Sequence, residues 1–295
     1  MLTIFLQFLF SGLTVGAVYA LVGMGFNIIY NATSIINLAQ GEFVVIGGLM
    51  MWFFTDSLHL PFFQSVLLTL LTAGLVGLLM ERLTIKPLKS TDLLLMIMIT
   101  ISVSIVLRGI LSFKFGKDPY GYPAFTEGEP FELGGAIIQQ QTLWVIGITA
   151  LCIVLLFLFY NKTIIGKAMR ACAFDTTAAQ LVGINVSQMV MISFVLSAIV
   201  GAVGGIAITP ISLMEYDKGP MLAVKGFCAA IMGGLGRGRG AVIGGFIIGI
   251  LESMTAGYIH SGLKDAVALI ILLLVLYLRP AGILGSSAAA RLRRF

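Results

Sequence analysis

Charge is what this sequence is short of: Asp, Glu, Lys and Arg make up 11% of its 295 residues, against about 25% in an ordinary soluble domain. A soluble core of this length needs a polar shell, and the residues for one are missing. Cysteine is scarce as well. Cys152, Cys172 and Cys228 are three in number and sit in or beside apolar segments, which indicates neither a disulfide framework nor a metal-ligand cluster. The two histidines, His59 and His260, lie near the expected external ends of apolar segments with no partner groups for catalysis. No catalytic residue, metal site or cofactor is therefore expected. The chain also lacks G-x-x-x-x-G-K-[ST], so it does not itself cradle ATP phosphates. The Gly-rich string GGLGRGRGAVIGG, 233–245, follows no soluble strand and reads as a tight turn. Finally, MLTIFLQFLF has neither the basic start nor the cleavage site of a secretory signal, and is expected to be a first span.

What is present is apolar: 59% hydrophobic residues and a mean hydropathy of +1.05. A span needs about 20 mostly apolar residues to cross about 30 Å of hydrocarbon. Such stretches recur at 2–30, 43–54, 62–79, 93–113, 142–160, 189–211, 221–235, 241–259 and 266–278. They lack the alternation of barrel strands, so helices, which satisfy their own backbone groups, remain. The expectation is an all-α polytopic membrane protein of eight or nine transmembrane helices, some broken or re-entrant, forming one domain over 1–295.

Lys and Arg at span ends are retained on the cytoplasmic side. With the N-terminus outside and the C-terminus inside, Arg82, Lys86, Lys89, Lys162, Lys167, Arg170, Arg237, Arg239, Arg279, Arg291, Arg293 and Arg294 fall inside, twelve of the eighteen cations. Asp56, Asp118, Glu127, Glu129, Glu132, Glu215, Asp217 and Asp265 fall on the other side. The isoelectric point near 9.2 reflects this dispersal at span ends, not a nucleic-acid face. The polar stretch 116–141 reads as an external loop. Glycines spaced by four, at Gly12 and Gly16, Gly201 and Gly205, Gly240 and Gly244, and Gly245 and Gly249, suit close helix packing in lipid.

Two segments interrupt the apolar pattern. In NATSIINLAQGEF, 31–43, a polar break suggests a broken helix whose N-terminus could hold a substrate carboxylate, with Asn37, Gln40, Gly41 and Glu42 along the pathway. Glu42 also fits a second reading, as a helix-start acid complementing the dipole. In EYDKGPMLAVKGFCAAIMGG, 215–234, the same design returns, and interruptions in both halves point to transporter repeats. Glu252 lies mid-segment, where an unpaired carboxylate is costly, so it faces the bundle interior, either bonded to a neighbouring helix or beside the pathway.

Between the fifth and sixth segments, NKTIIGKAMRACAFDTTAAQLVGINVSQ, 161–188, is amphipathic at helical spacing, with Ile165, Ala168, Met169 and Cys172 on one face. Such a helix rests on lipid headgroups or docks into a partner's groove.

The strings GAVYALVGMGFNIIY and INLAQGEF, IGKAMRACAFDTTAAQLVGIN, IMGGLGRGRGAVIGG followed by LES, and the terminal LRPAGILG stand in the order found in one family. The chain resembles the permease subunits of bacterial branched-chain amino-acid ABC transporters along essentially its whole length. The resemblance implies residence in the bacterial inner membrane, a second permease subunit, two cytosolic ATP-binding subunits and an external substrate-binding protein. It likens 166–183 to the family's coupling helix, and so implies an ATPase contact through Gly166, Lys167, Ala168, Arg170, Ala171, Asp175, Ala178, Ala179 and Gly183. Gln40 stands where family members commonly carry His, and related permeases carry urea or other amino acids. The competing reading is an ion-coupled secondary transporter working through Glu42 and Glu252.

Overall fold

The computed structural model describes residues 2–88, 92–126 and 128–284. Lys89, Glu127, Arg291, Arg293 and Arg294, which enter the charge count, lie outside these, as does Gly285 of the terminal string.

The chain runs α1 (Leu2–Thr33), α2 (Gln40–Trp52), α3 (Phe62–Met80), α4 (Leu93–Phe115), β1 (Phe131–Leu133), β2 (Ala136–Ile138), α5 (Gln140–Lys162), α6 (Ile164–Phe174), α7 (Thr176–Leu181), α8 (Val186–Ser212), α9 (Gly219–Gly233), α10 (Gly238–Tyr258) and α11 (Lys264–Leu278). Seven of these helices, α1, α3, α4, α5, α8, α10 and α11 with their flanking turns, are long and apolar enough to cross a membrane. At 1.5 Å per residue, the 15 residues of α9 reach about 22 Å, short of the hydrocarbon thickness. The 13 residues of α2 reach about 20 Å before widening into a π turn at Phe53–Ser57. The breaks read in the sequence are real, and they fall at 34–39 and 213–218.

Helix α8 is the most buried of the long helices and α11 the least. Around α8 lie α1, α2, α3 and α5, while α9 and α10 close the bundle against α1. Small residues permit these approaches. Gly16 of α1 lies against the Phe246 backbone of α10, and Gly249 against Gly16 itself. The fourfold glycine spacing therefore serves helix packing.

Pro210 interrupts the ladder of α8 and cannot donate to Ile206 O. The Tyr122 hydroxyl supplies that bond from the loop, and Gln141 Nε2 donates to the adjacent Ala207 O at 2.8 Å.

The departure from helix among the described residues is small. β1 and β2 form an antiparallel hairpin, Phe131 opposite Ile138 and Leu133 opposite Ala136, inside the loop expected to be external. Gln7 of α1 holds it twice, donating to Ile137 O at 3.0 Å and accepting from Ile137 N at 2.9 Å. Gly234 and Gly236, both at positive φ, form the turn between α9 and α10 that the Gly-rich string suggested. Gly236 N ties this turn to α1 by donating to Asn27 Oδ1 at 2.8 Å.

Candidate functional site

The two short helices meet end to end. A side-chain carbon on Gly41, at the start of α2, would come within 1.9 Å of Gly219 O, at the start of α9. Only glycine allows the two helix starts to approach this closely.

Beside this junction sits Glu42, 1% exposed, in the first turn of α2, where the helix dipole favours a negative charge. Its Oε1 accepts from Ser104 Oγ at 2.7 Å and lies 3.6 Å from Arg108 Nε. Its Oε2 abuts Gly219 and has no hydrogen-bond partner. Arg108 Nε and Asn37 Nδ2 are likewise buried without partners. Asn37 uses only its Oδ1, which accepts from Ala39 N at 3.1 Å and shapes the break before α2. Glu42 is therefore buried, charged and incompletely bonded, beside an arginine whose side chain is 32% exposed.

Gln40 differs from Asn37 and Glu42 in that both polar atoms of its side chain are bonded. Its Nε2 donates to Ser197 O at 3.2 Å and its Oε1 accepts from Ser197 Oγ at 2.6 Å. Gln40 thus clamps α2 to α8.

Glu252 sits in a second cluster, formed by α1, α9, α10 and the start of α11. Lys225 Nζ lies 2.7 Å from Glu252 Oε1 and 2.6 Å from Asp265 Oδ1. Tyr19 OH donates to Glu252 Oε2 at 2.9 Å. Of the two readings offered by the sequence, Glu252 has the geometry of the bonded one.

Sequence reasoning missed Ser104, Arg108 and Lys225. The signal for the first two was available: Thr100, Ser104 and Arg108 recur every four residues on the mostly apolar α4, one polar stripe facing α2. Thr100 Oγ1 accepts from Leu38 N at 3.2 Å. Lys225 inside the apolar α9 carried the same kind of signal.

The stretch 166–183, likened above to a coupling helix, is two helices, not one. The extended backbone at Asp175, φ −156°, ends α6, and Asp175 Oδ1 then caps α7 by accepting from Thr177 N at 2.8 Å and Ala178 N at 3.0 Å. α6 is capped in turn by Thr163 Oγ1, which accepts from Gly166 N at 2.9 Å. The inner face carries Gly166, Met169, Cys172 and Ala179, all buried, whereas Ile165 is exposed and not part of it. Gly166 rests on the Phe159 carbonyl of α5. Ala168 and Ala171 are half-buried, and Lys167, Arg170, Asp175, Ala178 and Gly183 are exposed. Arg170 Nη1 turns back to Asn161 Oδ1 of α5 at 3.1 Å. Phe174 (98% exposed), Leu181 (85%) and Val182 (76%) stand uncovered, apolar groups where soluble surroundings favour polar ones.

A sequence profile of the family described as "Branched-chain amino acid transport system / permease component" matches residues 8–276. The high-affinity branched-chain amino acid transport system permease protein LivH of Escherichia coli is 32% identical over 95% of this chain and 96% of its own length. The corresponding protein BraD of Pseudomonas aeruginosa is 30% identical with the same coverage. The xylose/arabinose import permease protein XylH of Sulfolobus acidocaldarius is 30% identical over 62% of this chain and 49% of its own length. Among solved structures, PsaBC from Streptococcus pneumoniae in complex with Fab superposes with a TM-score of 0.50 over 94% of this chain and 95% of the other, at 16% identity. That last likeness is one of fold alone.

Proposed function

Because the chain belongs to the family of branched-chain amino acid transport system permease components, we propose that it is the membrane-embedded permease of an ATP-driven importer of branched-chain amino acids in the bacterial inner membrane. The observation that carries this is correspondence to LivH and BraD along 95% of the chain, whereas the sugar permease matches 62%. Nine segments, the seven long helices with α2 and α9, make up one membrane domain, with the N-terminus outside and the C-terminus inside.

The Glu42 cluster suits the substrate class. An amino acid is a zwitterion, and it needs an acceptor for its ammonium and donors for its carboxylate. Glu42 Oε2 and Asn37 Nδ2 supply an acceptor and a donor without hydrogen-bond partners, and Arg108 Nε, ion-paired to Glu42 Oε1 at 3.6 Å, supplies a second donor that makes no hydrogen bond. Gln40 and Gly41 hold the helix start in place beside them.

The partners are a second permease subunit, a paralogue, together with two cytosolic ATP-binding subunits and an external substrate-binding protein. α6 and α7 form the ATPase contact, because Phe174, Leu181 and Val182 present an uncovered apolar surface of the kind a partner's groove covers. ATP binding and hydrolysis in the partners move α6 and α7, and the long helices repack so that the pathway beside Glu42 opens alternately to each side.

Reconstitution tests this. The full complex in proteoliposomes is expected to accumulate labelled leucine only with ATP and the binding protein, and the permease alone is expected not to. Leucine movement by the chain alone along an ion gradient refutes the proposal. Phe174→Asp is expected to cut co-purification of the ATP-binding subunits at least fivefold while the permease itself still folds; unchanged co-purification removes α6 from the contact.

A further inference from the structure

A cleft of about 540 Å³ opens beside α6, walled by α1, α5, α6 and the start of α10. Its walls are largely apolar, with Met24 and Ile28 of α1, Ile153, Leu156 and Phe157 of α5, and Val242 of α10. Its mouth is basic. Arg239 lies over the Phe157 ring at 5.0 Å, and Arg170 bonds only the neutral Asn161. Among the described residues, no carboxylate lies within ion-pair distance of either arginine.

Two further donors line the same cleft. Asn27 is 2% exposed; its Oδ1 is taken by Gly236 N, but its Nδ2 has no acceptor, and neither does the Tyr160 hydroxyl. Both residues line the cleft. A buried amide donor left without an acceptor is costly. An oxygen-rich anion carrying an apolar tail complements this arrangement: two cations and two free donors above a greasy trough. Val154 of the cleft also belongs to an exposed apolar face of α5 with Leu151, Leu155 and Leu158, of a kind that suits lipid tails.

We propose that this cleft binds an anionic glycerophospholipid from the leaflet at the α6 end of the bundle. Its phosphate sits between Arg170 and Arg239, within reach of the Asn27 and Tyr160 donors, and one acyl chain lies along Val154 and Phe157. A bound lipid then bridges α6 to α10 and restrains the segment that carries the exposed Phe174. A free phosphate leaves the apolar trough wet, which is why the lipid is the occupant the geometry favours.

Native mass spectrometry of the purified, delipidated permease complex tests this, with dioleoylphosphatidylglycerol, dioleoylphosphatidylcholine and inorganic phosphate added separately. The expected result is retention of phosphatidylglycerol at concentrations at least tenfold below those needed for phosphatidylcholine, with no retained phosphate. Arg239→Gln, at an exposed position, is expected to lower phosphatidylglycerol retention at least fivefold, and Arg239→Lys to keep most of it. Val154→Trp, which fills the trough, is expected to reduce retention of both lipids. Equal retention of the two lipids overturns the proposal, as does unchanged retention in Arg239→Gln or Val154→Trp. Phosphate held as tightly as the lipid overturns it as well.

Discussion

Two buried carboxylates, each beside a short interior helix, have opposite circumstances. Glu252 is bonded on both oxygens, by Lys225 at 2.7 Å and Tyr19 at 2.9 Å, and Lys225 is held in addition by Asp265 at 2.6 Å. Glu42 is bonded on one oxygen, by Ser104, with Arg108 standing off at 3.6 Å. A saturated network rigidifies, while a partly satisfied one is costly unless something else completes it. The difference assigns Glu252 to holding α1, α9 and α10 together. It leaves one oxygen of Glu42 without a donor, the observation on which the proposed pathway rests.

The comparison breaks most visibly at Lys225. Lys225→Met leaves Glu252 and Asp265 facing each other without their cation, an uncompensated buried charge that costs about 3–5 kcal/mol. Thermal unfolding in detergent is expected to show a loss of that order, and adding Glu252→Gln to Lys225→Met is expected to recover much of it. A small loss in the single variant would mean that the second network is not saturated in the protein.

Gln40→Ala gives the intermediate effect. It takes away both bonds to Ser197, whose hydroxyl still donates to Gly25 O at 2.9 Å, a cost of about 1–2 kcal/mol. The same unfolding measurement checks it. Gln40→His is expected to lose less, provided the imidazole still donates to Ser197 O.

Glu42→Gln is expected to change stability least, by under about 1 kcal/mol, because Ser104 still has an acceptor and the charge removed was incompletely paired. Uptake is where it should register, with ATP-driven leucine accumulation falling at least tenfold. Unimpaired uptake would put the Glu42 cluster in the same structural class as the Glu252 network.

Much of this architecture could be read beforehand, for a specific reason. The helix positions followed from runs of apolar residues, while the caps came with the structure: Asp92 caps α4 by accepting from Leu94 N at 3.0 Å, and Asn185 caps α8 by accepting from Gln188 N at 3.1 Å. The two interruptions were legible because Asn37, Gln40 and Glu42 are out of place among apolar neighbours. The split of 166–183 into α6 and α7 was not foreseen, because Asp175 reads equally well as a surface acid and as a cap. The hairpin at 131–138 escaped notice because three-residue strands carry almost no periodicity. For Arg108 and Lys225, a single charge within an apolar run marks a functional or bonded residue without naming its partner.

The sequence by itself determined that lipid surrounds this chain, where its long helices begin and end, and where two of its shorter ones are broken. Hydrophobicity and capping act over neighbouring residues, so each stretch carries its own instructions. Only the tertiary structure decided which buried polar groups pair: Tyr19 with Glu252 across 233 residues, Gln40 with Ser197 across 157, and Glu42 with Ser104 across 62. Those bonds form only after helices distant in the chain pack together, and no local pattern records which oxygen is left without a donor.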